Sequence, residues 1–521
     1  MAHHRIVWLH NGITLGENYG NHLQRVTRPC ELWADDAEFE LRPVAINEPN
    51  AVELAVAADL LVVVQLGQTP INGLVHHRRR LGRPTLFELN DDVGQVGDWI
   101  AEKGAVHSPL WRQQVLGAAA ACDAVQFSSL GLRKRFASLH RHSHVLDPYV
   151  PVPAAMPHKP TGFVVAWAGS NTHLDDLLAI APALADFLRS HPEAKFALMG
   201  DLGRLQPVLQ QLPHEQLMPR QFGSYEDLQA FLAGVHVGIA PLQNTGFNRC
   251  RSDGKFAQYA AAGAYALLAE SSVFAPHRHH AQLFDSPQEM ARQLTELYND
   301  RSALSSKAAT AFNWVQQHRN PHATRALMRQ QFRRLLGGRA PLPYTSPPCP
   351  GHATTLATLL KHAEQALGKR RHEDALSICY QALTLSPDCE AAHWLVLSSL
   401  SHLKRYQELL DWFEKRPYES AYVDHYAALA YAAASQICPE RKPEFLQRIA
   451  APGLRLRLAG GRPGAMAPHY RAILAHEPYD YFALFGLIGM LRAQSLDHAE
   501  LPALYERADL VAPKVVQALK K

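Results

Sequence analysis

The sequence predicts two doubly wound α/β domains followed by an all-α domain of helical repeats. Three features predict this. Short β-branched runs alternate with helical segments as far as residue 336, a run with five prolines interrupts that alternation, and only helical spacing remains after residue 352. Strands that alternate with helices imply a parallel sheet covered on both faces. At 521 residues the chain is also too long for one hydrophobic core.

The first domain is assigned to residues 1–150, with strands at "RIVWLH", "DLLVVVQLG", "PTLFELND" and "DAVQFSS". Between them "LVHHRRRLG" and "PLWRQQVLGAAAAC" carry helical spacing. The linker "DPYVPVPAAMPHKPTG" breaks the pattern. A second domain, residues 151–336, resumes it with "FVVAWAG", "AKFALMG", "VHVGIAPL" and "AYALLAE", and a helical tail from 288 to 336 closes the unit. Two such halves in succession leave a cleft between them, where ligands of these folds lie. Residues 337–352, "GGRAPLPYTSPPCPGH", form a second linker, and 353–521 are helical in pattern. "EDALSICYQALTLSPDCEAAHWLVLSSL" and, further on, "PHYRAILAHEPYDYFALFGLIGML" share one layout, with a proline between two helices. That layout resembles a degenerate tetratricopeptide repeat, which implies stacked helical pairs with a concave surface for a partner.

Composition excludes several classes. The 47% hydrophobic and 19% charged residues are those of a globular protein, and a net charge of +4 gives no reason to expect nucleic acid. The seven cysteines (Cys30, Cys122, Cys250, Cys349, Cys379, Cys389, Cys438) stand singly, without a C-x-x-C pair, and so read as reduced thiols. No apolar run approaches the length of a membrane span, and "RIVWLH" begins without the long apolar region of a signal peptide. A soluble cytoplasmic protein is expected. The basic runs "HHRRRLGR" and "LRKRFASLHRHSH" read as solvated helix faces, with weak attraction to an acidic lipid or polymer as the other reading. "HRHH" at 277–280 is assigned no metal.

The stretch with the most chemistry is "FNRCRSDGKFAQYAAAG", residues 247–263, which follows the strand "VGIAPL". A strand-loop-helix unit presents free backbone N–H groups and the positive end of the helix dipole to an anion. Arg249, Arg251 and Lys255 add full charges, Ser252 or Asn248 can donate to phosphate oxygens, and the alanines let the helix approach the sheet closely. A diphosphate fits. The competing reading makes Ser252 a helix N-cap, with Asp253 helping and the charges in solvent.

"APLQNTGFNRCRSDGKFAQYAAAGAYALLAE" resembles the donor-site segment of family four glycosyltransferases. "VVAWAGSNTHLDDL" looks like that family's first strand-helix turn of the donor domain, "RPTLFELNDDVG" like its acidic strand end, and "GNHLQRVTRPCEL" like its early arginine-rich helix. The resemblance covers residues 1 to about 335, in the family's order. It implies two Rossmann-like domains in the GT-B arrangement, a nucleotide-sugar donor, no cofactor and no metal, and transfer with retention of configuration. Gly169, Ser170, Thr172, His173, Asn248, Arg249, Arg251, Ser252, Lys255 and Gln258 would then line the donor side. Arg25, Asp91 and Asp92 would face the acceptor, and Lys255, Arg249, Arg251, Asp91 and His173 would serve catalysis. Without the resemblance, His173 reads as a satisfied helix-start histidine, and Asp91 and Asp92 as a turn or cap. Gln258 stands where the family has a ribose-binding glutamate, and Arg251 where many relatives have lysine.

The expected activity is therefore transfer of a hexose-type sugar. The helical domain would hold a protein acceptor glycosylated on Ser or Thr, such as a bacterial flagellin or adhesin, or would dock an assembly partner. The alternatives are an enzyme extending a lipid-linked or surface glycan, and a non-catalytic scaffold, for which Gln258 speaks.

Overall fold

The structure, a computed structural model, describes residues 3–11, 22–67, 69–92, 108–147, 149–169, 173–342, 353–415, 420–461 and 465–520. Two parallel six-stranded sheets organise the first two thirds of the chain. The first contains β1 (His4–His10), β2 (Phe39–Ala45), β3 (Leu60–Val64), β4 (Thr85–Leu89), β5 (Ala124–Phe127) and β6 (Ser143–Val145), in the order β2-β1-β3-β4-β5-β6. The second contains β7 (Phe163–Ala168), β8 (Ala194–Gly200), β9 (Leu217–Gln221), β10 (Val237–Ala240), β11 (Tyr265–Ala269) and β12 (Gln282–Phe284), in the order β12-β11-β10-β7-β8-β9. Helices flank both. The domains are Rossmann-like, as the sequence leads one to expect, and a helical region follows.

The inner strands are buried apolar runs, such as Leu60–Val64 and Tyr265–Ala269, because helices cover both faces. The sequence reading misses β2, β6, β9 and β12, which are the outermost strands of the two sheets. Their "FELRPVA", "SHV", "LMPRQ" and "QLF" are half solvated and carry no continuous apolar run.

The helical tail divides between the sheets. Pro287–Asn299 and Arg301–His318 pack on the second, whereas Pro321–Leu336 returns to the first. There Met328, Phe332 and Leu336 join Ile6, Trp8, Trp33 and Phe39 in one apolar cluster. Arg325 and Arg329 pair with the buried Asp36, and Arg329 and Arg333 with Glu38. The two chain crossings run side by side, since the N–H of Val150 donates to the carbonyl of Arg319 at 3.3 Å.

From Ala353 onward helices pack in antiparallel hairpins. Arg370 and Lys404 occupy equivalent hairpin turns 34 positions apart, and both have φ of 59°. This region is fixed to the first domain and shares its core: Leu74, Val115 and Leu116 lie in one apolar cluster with Tyr422, Tyr426 and Leu484. Gly73 permits close approach, because a Cβ there would lie 2.8 Å from the His425 ring. Arg80 pairs with the buried Asp424 at 3.3 Å, and Gln113 bonds Asp480 at 3.2 Å and the N–H of Tyr481 at 2.9 Å. The cysteines among the described residues are free thiols; Cys349 lies outside them. Among the described residues no helix is long and apolar enough to cross a membrane.

Candidate active site

In the second sheet β7 and β10 are neighbours although β8 and β9 lie between them in sequence. The loops leaving their carboxyl ends diverge, and such a topological switch point is where open α/β sheets bind ligands. The two segments quoted for the donor side form these loops. After β7 comes Gly169, whose N–H donates to the carbonyl of Met199 at 3.0 Å. A Cβ there would lie 2.7 Å from Trp167, so the tight exit requires glycine. Ser170 and Thr172 lie outside the described residues.

After β10 a helical turn, Gly246–Arg249, leads into the helix Gly254–Ala261. Phe256, Ala257, Ala260 and Ala261 are buried, and Tyr259 lies across Gly238, where a Cβ would come within 2.3 Å of the ring. The Tyr259 hydroxyl donates to the carbonyl of Ile239 at 2.9 Å. Small residues thus seat the helix start against the carboxyl edge of the sheet. Its N-cap is Asp253, not Ser252, and among the described residues no side chain bonds the first N–H groups. The Asp253 carboxylate turns away to His277, at 2.7 Å, and to Arg319. Among the described residues, the first N–H groups of the helix therefore stay open to an anion.

Arg251 occupies the centre of the site. It donates through Nη1 to Asp91 Oδ1 at 3.1 Å, at the exit of β4 in the first domain, and through Nη2 to His173 Nε2 at 3.3 Å. Asp91 and Arg251 are 24% and 26% exposed, so the pair, which joins strand exits of the two domains, stays open to a competing anion. Lys255 donates to the carbonyl of Ala168 at the end of β7, with Nζ 5.9 Å from the Trp167 ring centre. Burial, with Arg251 adding to it, lowers its pKa to about 8. The His173 pKa falls to about 4, chiefly through burial, despite the opposing pull of Asp176. The ring is therefore neutral at physiological pH. Nε2 accepts from Arg251, so the proton sits on Nδ1 and is donated to Asp176 Oδ2 at 2.9 Å.

Asp176 holds the site together, and the sequence reading gives it no role. Besides His173, it accepts from the N–H of Gln243 at 2.8 Å and from Asn248 Nδ2 at 3.1 Å. The sequence signal was present: Asp176 stands three residues after His173 in "THLDDL", one helical turn on. Gln65 is a second such residue. It follows β3 with φ of 43°, a strained conformation for a side chain with Cβ, and its Oε1 accepts from the N–H groups of Asn90 and Asp91 at 2.7 and 3.0 Å. The side chain thus braces the β4 exit that carries Asp91. No sequence pattern announces it.

The other expected residues fall into two groups. Ser252 and Gln258 are half-buried at the start and on the second turn of the helix. Arg249 is exposed and bonds Asn244 Oδ1 at 3.0 Å, and Asn248 Nδ2 is engaged by Asp176 and the carbonyl of Gln243. On the first domain, Arg25 is buried, donates to the carbonyls of Leu146 and Ser128, and lies 3.6 Å from Glu88. Asp92 is buried too and pairs with Arg135 at 3.4 Å. These contacts hold the strand exits in place, whereas Arg251, Lys255, His173 and Asp91 gather where the exits of β4, β7 and β10 meet. His277 of "HRHH" is taken up by Asp253, and no group of three His, Cys, Asp or Glu among the described residues is placed to hold a metal ion.

No family model matches the chain, and no curated protein matches it in sequence. Similar solved structures include HepE of Anabaena in complex with UDP-glucose, at 14% identity over 64% of this chain and 100% of that one, with a TM-score of 0.49. A UDP-forming α,α-trehalose-phosphate synthase from Burkholderia xenovorans is 11% identical over 64% of this chain and 99% of that one, with a TM-score of 0.43. TarM is 10% identical over 55% and 58% of the two chains, also with a TM-score of 0.43. The chemistry assigned to this chain rests on its own residues.

Proposed function

We propose that the chain is a glycosyltransferase of the GT-B arrangement, moving a sugar from a nucleotide-sugar donor to an acceptor hydroxyl. The reading rests on one observation. Arg251, Lys255 and the uncapped start of Gly254–Ala261 gather at the switch point of the second sheet, opposite Asp91 of the first. A diphosphate there receives two cations and the helix N–H groups. As the bond from the sugar carbon to the phosphate oxygen breaks, negative charge grows on the leaving group, and donors already in place lower that barrier. Arg251 exchanges Asp91 for phosphate oxygens. Asp91, once released, takes the proton of the acceptor hydroxyl as its oxygen bonds the sugar carbon. Neutral His173 accepts from Arg251 and fixes its direction. Transfer with retention, which accompanies this reading, requires the acceptor oxygen to bond the sugar carbon from the face that the diphosphate leaves; the reading uses no metal, and it has the helical domain present a protein acceptor.

A panel of nucleotide sugars in a thermal-shift assay tests the donor site. One donor raises the midpoint of the wild-type protein, and Lys255→Ala removes the shift. Equal shifts in both proteins would place the diphosphate elsewhere.

A further inference from the structure

The residue before Arg251 is seated in the other domain. Cys250 is buried in the apolar core of the first domain, in one cluster with Phe127, Leu132 and Phe136. Its carbonyl accepts from the buried hydroxyl of Ser129 at 2.7 Å. The same hydroxyl accepts from the N–H of Leu132 at 3.0 Å and so caps the Leu130–Arg135 helix. Cys250 Sγ lies 4.0 Å from Asp92 Oδ2. Gly131, in the first turn of that helix, lies against the same peptides: a Cβ there would overlap the carbonyl oxygen of Arg249 and come 3.3 Å from the Cα of Cys250. The helix itself does not call for glycine, since Gly131 has no positive φ and alanine is the better helix former. The contact between the domains calls for it. From the other side, the N–H of Arg251 donates to the carbonyl of Asn248 at 3.1 Å, and Asn248 is held by Asp176. Both domains therefore fix the backbone at Arg251, and only its side chain has to turn from Asp91 to an anion. A group whose backbone is fixed in advance loses less freedom on binding.

We propose that Ser129 and Gly131 are positioning residues of the donor site: they clasp residues 249–250 across the domain boundary and so aim Arg251 at the diphosphate. The proposal rests on the transferase reading and gives the first domain a part in donor binding. The test uses the full chain with UDP, GDP and ADP as probes. It reads the clasp separately, without nucleotide, by the alkylation rate of Cys250 followed by peptide mass spectrometry. Gly131→Ala forces the two segments apart. Ser129→Ala removes one hydrogen bond across the boundary, adds no atom, and carries the test if the first variant does not fold. In each variant Cys250 reacts at least fivefold faster, whereas Cys122, buried in the same core, keeps its wild-type rate. Kd for the diphosphate that binds rises at least fivefold, and the rise disappears when Arg251→Ala is already present, because the clasp acts through Arg251. An unchanged Cys250 rate in both variants overturns the clasp. Unchanged affinity, or an equal loss with and without Arg251→Ala, overturns the positioning role. A wild type that binds none of the three diphosphates overturns the transferase reading and the donor part of the proposal with it, and the Cys250 rate then decides the clasp alone.

Discussion

If Lys255 grips a diphosphate, donor binding must be linked to its protonation. Burial, with Arg251 beside it, holds the pKa at about 8, against 10.5 for an ordinary lysine. The folded protein without donor therefore holds this proton less firmly than the unfolded chain. Folding stability due to Lys255 rises as pH climbs from about 8 toward 10.5, while donor binding, which needs the charge, weakens over the same window. With the bound lysine fully protonated, raising the pH from about 7.5 to about 9.5 increases the donor Kd roughly 25-fold, or about 2 kcal/mol. At pH of about 8.5 binding takes up roughly three quarters of a proton. Isothermal titration in two buffers of different ionisation enthalpy measures both quantities. Lys255→Arg keeps its charge throughout, so the slope and the proton uptake vanish. Lys255→Met loses the slope together with affinity. A wild-type slope that persists in Lys255→Arg would refute the assignment.

Other perturbations reach the supporting residues. Asp91→Asn removes the carboxylate that competes for Arg251. Because the pair is partly solvated, the gain in donor affinity at low salt is about three- to fivefold, while kcat drops by about 10² or more, both read by titration and turnover. Asp176→Ala breaks the bonds to His173, Gln243 and Asn248 at once, and hydrogen exchange of residues 243–250 rises, with about 2–4 kcal/mol lost locally. Unchanged exchange there would show that the carboxylate is not the anchor. Burial pushes the Asp36 carboxyl up, but Arg325, two backbone N–H groups and Arg329 outweigh it and hold the pKa at about 2, below the ordinary 3.8. Its stabilising contribution, about 2 kcal/mol, is present above pH of about 4 and is lost as pH falls through about 2. Asp36→Asn lowers stability by a similar amount at neutral pH in denaturant titrations, and its acid sensitivity is correspondingly reduced.

Inner strands such as Leu60–Val64 and Val237–Ala240 were legible because burial on both faces demands continuous apolar residues. The outer strands were not, since β9 reads "LMPRQ" and is largely solvated. The arginines and lysine of 249–255 drew attention by charge, but charge in a sequence has no direction. Arg251 spans the crevice, whereas Arg249 turns to Asn244. In the same way Arg25 and Asp92 are drawn into buried contacts that only the folded chain reveals. Gln65 stands furthest from sequence reasoning, because its contribution depends on an uncommon backbone conformation and two N–H groups more than twenty residues away. The return of Pro321–Leu336 to the first sheet escaped notice for a related reason: its apolar spacing marks a helix and does not say which sheet it covers.

The most direct test is a crystal structure of the full chain with UDP or the matching nucleoside diphosphate. The account places the β-phosphate within hydrogen-bonding distance of Arg251, Lys255 and the first N–H groups of Gly254–Ala261, with Asp91 no longer bound to Arg251. A nucleotide bound away from the β7–β10 exits, or an Arg251–Asp91 pair intact beside a bound diphosphate, would contradict it.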